Sequence, residues 1–227
     1  MYTLFPDWIV LAVFLVLFFI SRTFRAKQTV FIRIFREFLV LSILELILEY
    51  FALLAANGSF SLTAYRILTT FYCASKPLLF ALWVCFAIFR CYAPDMKPIT
   101  RQMRHTFIFY GQFLLLAMTN KFTGLFFVID EDRVIRYGML YLPLLIGLPL
   151  VFSVYGLAVT WLYAENKPPV LSLAGLIILF ILPLGGVLLQ HLHGGWPFIS
   201  MMEAVSYSML LYTLMAERWN SGGEDHG

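Results

Sequence analysis

Four ionisable residues stand inside otherwise apolar stretches of this 227-residue chain: Glu45, Glu49, Lys76 and Glu203. A charge in hydrocarbon is costly unless paired, so such residues are functional candidates by default. Ser42, Glu45 and Glu49 follow one another at helical spacings of three and four, which puts them on one face. Tyr65, Thr69, Tyr72 and Lys76 form a second stripe, and Ser200, Glu203 and Tyr207 a third. At a helical rise of ~1.5 Å per residue, Glu45 and Lys76 each lie about 16 Å from the outer ends of adjacent helices. They are predicted to pair at one depth near the midplane, with Glu49 beside Tyr72. By the same arithmetic Glu203 lies roughly 8 Å below the outer end of its helix, level with Glu49. Three readings fit this placement. Glu45 and Lys76 form an interhelical polar clamp that fixes packing; Glu49, Tyr72, Glu203 and Tyr207 line a ligand- or proton-sensing pocket; or the same carboxylates relay protons along a transport path.

Other chemistry is sparse. His191 and His193 flank Leu192 ahead of Gly194 and Gly195, and with Asp130, Glu131 and Asp132 they could hold a metal. A solvated Gly-rich interfacial turn is the usual reading of such a pair, and no metal or cofactor is expected. Cys73, Cys85 and Cys91 lie in or beside one helix with no CxxC or Cys/His grouping, so they read as small buried hydrophobes. HExxH, GxSxG, P-loop and GxGxxG patterns are missing, as is a lysine in the last span that could hold a retinal Schiff base. No enzymatic activity is expected.

The elements that must position these residues follow from composition. The chain is 61% hydrophobic, 18% aromatic and only 13% charged, with a mean hydropathy of +0.84. That leaves too little polar surface to cover a water-soluble globule, and it excludes a disordered chain, a nucleic-acid binder and a coiled coil. A spanning helix needs about 20 mostly apolar residues. Seven stretches qualify, at 6–21, 35–56, 65–89, 105–119, 139–163, 170–189 and 198–216. The first lacks a basic n-region and carries Asp7, so it reads as an uncleaved anchor. Basic residues cluster on alternate connections. Arg22, Arg25, Lys27, Arg33 and Arg36 follow the first span, and Arg90, Lys97, Arg101 and Arg104 the third. Lys167 follows the fifth and Arg218 the seventh, whereas residues 57–64 and 190–197 have none. Because Lys and Arg accumulate on the cytoplasmic side, the amino terminus is predicted outside and the carboxyl terminus in the cytoplasm. The expected fold is an all-α membrane protein: a seven-helix bundle over residues 1–216 and a short disordered tail at 217–227. No internal repeat is visible, which argues against repeat-built transporter folds.

The connection between the fourth and fifth spans differs from the rest. Phe122 to Ile129 is aromatic and β-branched, Asp130 to Arg133 is a charged turn, and Val134 to Tyr137 is a second extended run. Two such runs around a polar break predict a β-hairpin. Open strand edges cannot face lipid, so it should cover the outer mouth of the bundle, with Phe126, Phe127 and Tyr137 as its lid residues. Trp8, Trp161, Trp196 and Trp219 read as interfacial anchors, and Pro77, Pro149 and Pro183 as kinks that open room between helices.

Taken together, the span count, the orientation, Thr119-Asn120 before Gly124-Leu125-Phe126-Phe127, Arg136-Tyr137-Gly138 before the fifth span, and the last span from Val205 to Tyr212 carry a resemblance. The chain resembles the bacterial seven-transmembrane sensor domains found at the amino end of certain histidine kinases and GGDEF-type diguanylate cyclases. The resemblance implies an inner-membrane sensor for a small extracellular or membrane-borne ligand. In that family the last helix feeds a catalytic output domain, and none follows here. What carries over is a sensing role that signals to a separate cytoplasmic protein, or a truncated sensor, without kinase or cyclase activity. A small proton-coupled transporter subunit and a structural membrane subunit are the alternatives.

Overall fold

The computed structural model describes residues 5–23, 30–92, 96–162, 170–193 and 198–222. Arg25, Lys27, Lys167 and Trp196 lie outside them, and nothing is described of the side chains of Cys91, Lys97, Arg101, His191, His193, Arg218 and Trp219. The described chain is almost wholly helical: α1 Phe5–Thr23, α2 Val30–Ala56, α3 Leu62–Tyr92, α4 Met96–Thr123, α5 Leu148–Leu162, α6 Val170–His193 and α7 Phe198–Gly222. A two-stranded antiparallel sheet, β1 Phe127–Ile129 and β2 Ile135–Tyr137, lies between α4 and α5. Among the described residues four segments are long and apolar enough to cross a membrane, 31–56, 62–90, 173–190 and 198–216, and the apolar part of α5, Leu148–Trp161, is shorter. Outward-facing side chains are large and apolar, among them Phe19, Phe109, Leu115, Met118 and Val154. Such a continuous apolar exterior suits lipid and not water.

Several helices outrun their apolar stretches. α4 starts at Met96 and ends at Thr123, where Gly124 takes a left-handed φ of 60° and donates its N–H to the Asn120 carbonyl at 2.8 Å. This left-handed cap stops the helix, so the extended run begins at Phe127 and not at Phe122. The fifth span is predicted from Met139, yet residues 138–140 are non-helical, and a π-helical turn over Pro143–Gly147 leads into α5. Pro149 has no N–H to offer the Leu145 carbonyl, and a wider turn ahead of it relieves that loss. α6 runs through His193, so the HxH backbone closes a helix instead of forming a loop. α7 continues to Gly222, six residues into the predicted disordered tail.

α3 packs against α2, α4, α5 and α6. α1 leans on α2 and α7, and α6 and α7 share the most extensive helix pairing. That pairing depends on Gly186: a Cβ there would meet the Ile199 Cα and the Phe198 carbonyl, both at 2.8 Å. The core has two parts. Far from the hairpin, Phe14, Phe35, Phe38, Phe80, Trp83 and Phe86 pack around Tyr207. Under the hairpin, Tyr65, Ala74, Phe113 and Ala117 pack against Phe126, Phe127 and Ile129.

Candidate functional site

The hairpin is built from its neighbours inward. Asn120, buried in the last turn of α4, accepts the Phe126 N–H at 2.8 Å and donates to the Phe127 carbonyl at 2.9 Å. One side chain thereby fixes where β1 leaves the helix. Pairing is in the register Phe127 with Tyr137, Val128 with Arg136 and Ile129 with Ile135. The turn closes with the Arg133 N–H on the Asp130 carbonyl at 3.0 Å, and Arg133 itself adopts φ 59°. Its guanidinium donates to the carbonyls of Ala55 and Phe60 at the α2–α3 turn. Arg66 of α3 donates to the Ile129 carbonyl at 2.7 Å. The strand pair is thus tied to α2, α3 and α4. After β2, the Gly138 N–H meets the Phe126 carbonyl at 2.7 Å, and any Cβ at 138 would collide with the carbonyls of Gly124 and Leu125.

Beneath the hairpin lies a cavity of about 760 Å³ between α2, α3, the ends of α6 and α7, and the segment after β2. Pockets that bind small molecules span roughly 300–1,000 Å³, so this one is roomy enough for a ligand. The whole predicted stripe of α3 (Tyr65, Thr69, Tyr72 and Lys76) lines it, with Glu49 of α2 opposite. Thr69, Lys76 and Glu49 are buried and form its deep part, while the exposed Tyr137, Met139 and Leu142 form its rim. Phe127 lines it too.

At the deep end, Lys76 Nζ sits 2.9 Å from Glu45 Oε1, both side chains almost inaccessible. Ser75 Oγ stands 3.4 Å from the same oxygen and donates to the Tyr72 carbonyl at 2.8 Å. Glu45 Oε2 has no hydrogen-bond partner, nor have Glu203 Oε1 and Thr69 Oγ1. The Lys76 ammonium also lies 5.2 Å over the Tyr72 ring. Glu49 and Glu203 are within electrostatic reach of Lys76, and so is Asp7 at the start of α1. The chamber therefore gathers four carboxylates around one ammonium.

Three predicted site residues sit elsewhere. Glu203 is buried behind the cavity wall and does not line it. Tyr207, one turn deeper on α7, is fully buried: its hydroxyl accepts from Trp83 Nε1 at 3.1 Å and shares a 3.0 Å hydrogen bond with Ser42. It joins α2, α3 and α7 as a core contact and does not line the cavity. Phe126 packs edge-on against Phe113 at 5.6 Å, beneath the lid and away from the cavity. Conversely, sequence reasoning passes over Asp7, Cys73 and Gln190. Asp7 carried a usable signal, an acid in the first turn of an apolar helix, and it lies within electrostatic reach of Glu49. Gln190 lines the cavity and accepts the Ile199 N–H at 3.2 Å, capping the start of α7. Cys73 lines the cavity as a free thiol, and nothing in its spacing distinguishes it. Among the described residues no His, Cys, Asp and Glu side chains group closely enough to hold a metal. The chain matches no family model, no curated protein and no solved structure.

Proposed function

We propose that this chain is a bacterial inner-membrane sensor: a bundle of seven spans, amino terminus outside and carboxyl terminus cytoplasmic, that binds a small ligand beneath an external hairpin. The observation that carries the reading is the hairpin-covered cavity whose deep end is an ion pair and whose wall presents Glu49 and Tyr72. A ligand with different affinity for two bundle arrangements shifts the balance between them. Contacts to α2, α3 and α7 from one cavity convert that shift into a relative movement of α3 and α7, read at their far ends by a separate cytoplasmic protein. The transport alternative needs a path onward from the acids. The aromatic layer of Phe14, Phe35, Phe38, Trp83, Phe86 and Tyr207 fills the bundle at that level, which favours sensing.

The test uses the full chain in lipid nanodiscs and three probes of one shape: 2-phenylethylammonium, 2-phenylethanol and 3-phenylpropionate. At least one is expected to slow alkylation of Cys73 by N-ethylmaleimide and to change amide exchange at 86–92 and 212–222. Protection of Cys73 with no change at those ends overturns sensing, and net uptake of a probe into proteoliposomes establishes transport instead. Alkylation of cysteines introduced at 58 and 223, from opposite sides of sealed vesicles, tests the orientation; reaction from the same side refutes it.

A further inference from the structure

We infer that the cavity takes a small organic cation, an ammonium group carried on an apolar or aromatic body. This rests on reading the cavity as a ligand site and names what that site selects. Charge is the first argument. Among the described residues the cavity wall has one ammonium, Lys76, and it is held by Glu45 at 2.9 Å. The guanidiniums nearest the lid are committed elsewhere: Arg66 and Arg133 to backbone carbonyls, and Arg136 to Asp130 at 2.6 Å. Glu49 lines the cavity, is buried, and has no basic group paired with it among the described residues. Asp7 and Glu203 stand within electrostatic reach of Glu49. An anion entering here would face Glu49 and would have to displace Glu45 from Lys76. A cation meets a carboxylate that lacks a partner.

Acceptors other than carboxylates point the same way. Thr69 lines the cavity, is more than nine-tenths buried, and its Oγ1 has no hydrogen-bond partner. One turn deeper, Pro77 leaves the Cys73 carbonyl without its helical donor, and Cys73 lines the same wall. An ammonium supplies the donors that such acceptors lack. The rest of the lining suits the remainder of the molecule. Tyr65, Tyr72, Tyr137 and Tyr141 surround the space, and aromatic faces attract ammonium groups. The Lys76 ammonium over Tyr72 is an internal instance of that contact.

The same three probes, identical in body and different in charge, decide the matter. On the wild-type chain 2-phenylethylammonium is expected to protect Cys73 at a concentration at least tenfold below that needed for 2-phenylethanol, with 3-phenylpropionate weakest. Glu49→Gln removes about tenfold of that preference, as loss of one charged hydrogen bond implies. If the variant does not fold, the wild-type ranking alone decides. Equal potency of alcohol and amine, or a stronger carboxylate, overturns the cation while leaving the ligand site standing. Protection by none of the three removes both.

Discussion

Breaking the Glu45–Lys76 pair from one side should not cost the same as breaking it from the other. At 2.9 Å, two unit charges attract by about 6 kcal/mol at an effective dielectric of 20, most of which offsets the desolvation of both groups. Removing one partner of a buried pair costs about 3–5 kcal/mol, because the other charge is left behind. Lys76→Met leaves Glu45 together with Glu49, Glu203 and Asp7 and no ammonium among them, so it should fall at the top of that range. Glu45→Gln leaves Lys76 with three acidic groups still in reach, Glu49, Glu203 and Asp7, and should cost about 1–3 kcal/mol. The double variant replaces both charges and should recover most of the loss. For a chain of this length about 4 kcal/mol corresponds to a fall in Tm on the order of 10 °C. The assay is thermal unfolding of all four proteins in one detergent, followed by circular dichroism. Equal losses for the two single variants, or a double variant whose loss is their sum, would refute the picture of a chamber with surplus carboxylates.

Three further outcomes are expected. Gly138→Ala forces a Cβ into the carbonyls of Gly124 and Leu125 and should destabilise by about 1–3 kcal/mol while speeding Cys73 alkylation as the lid lifts; unchanged alkylation would mean the lid does not shield the cavity. Asn120→Ala leaves the Phe126 N–H and the Phe127 carbonyl unsatisfied at about 1–3 kcal/mol each, and amide exchange at 126–129 should quicken well beyond that of α3. Tyr207→Phe strands the Trp83 N–H and the Ser42 hydroxyl, lowering stability by about 1–3 kcal/mol with Cys73 alkylation unaffected; a change in alkylation would put Tyr207 at the cavity after all.

Periodicity carried most of what the sequence could say. The α3 stripe from Tyr65 to Lys76 faces one cavity because spacings of four, three and four keep one side of a helix, and equal depth was enough to bring Glu45 to Lys76. The hairpin was legible from two β-branched runs around an acidic turn, but its start was not. Phe122 and Thr123 have strand-like composition, yet they extend α4 until Gly124 supplies the left-handed residue that ends it. Angular position around a helix was the harder quantity. Glu203 and Tyr207 share a stripe with Ser200, but whether that stripe meets a void or a wall depends on how α6 presses on α7 at Gly186. Asp7 stayed out of the site because a helix's first turn reads as a boundary until a neighbour of matching depth is found.

The Arg133 bridge has a consequence for sequence drift. Its guanidinium grips two main-chain oxygens at the α2–α3 turn, so the identities of residues 55 and 60 are irrelevant to the grip. Position 133 has no such latitude. Glycine or asparagine would adopt a φ of 59° more comfortably than arginine does, yet either would release the strand pair from the turn. A long cation in an uncomfortable backbone conformation is thus the expected fixture wherever this strap is kept, amid surroundings free to vary.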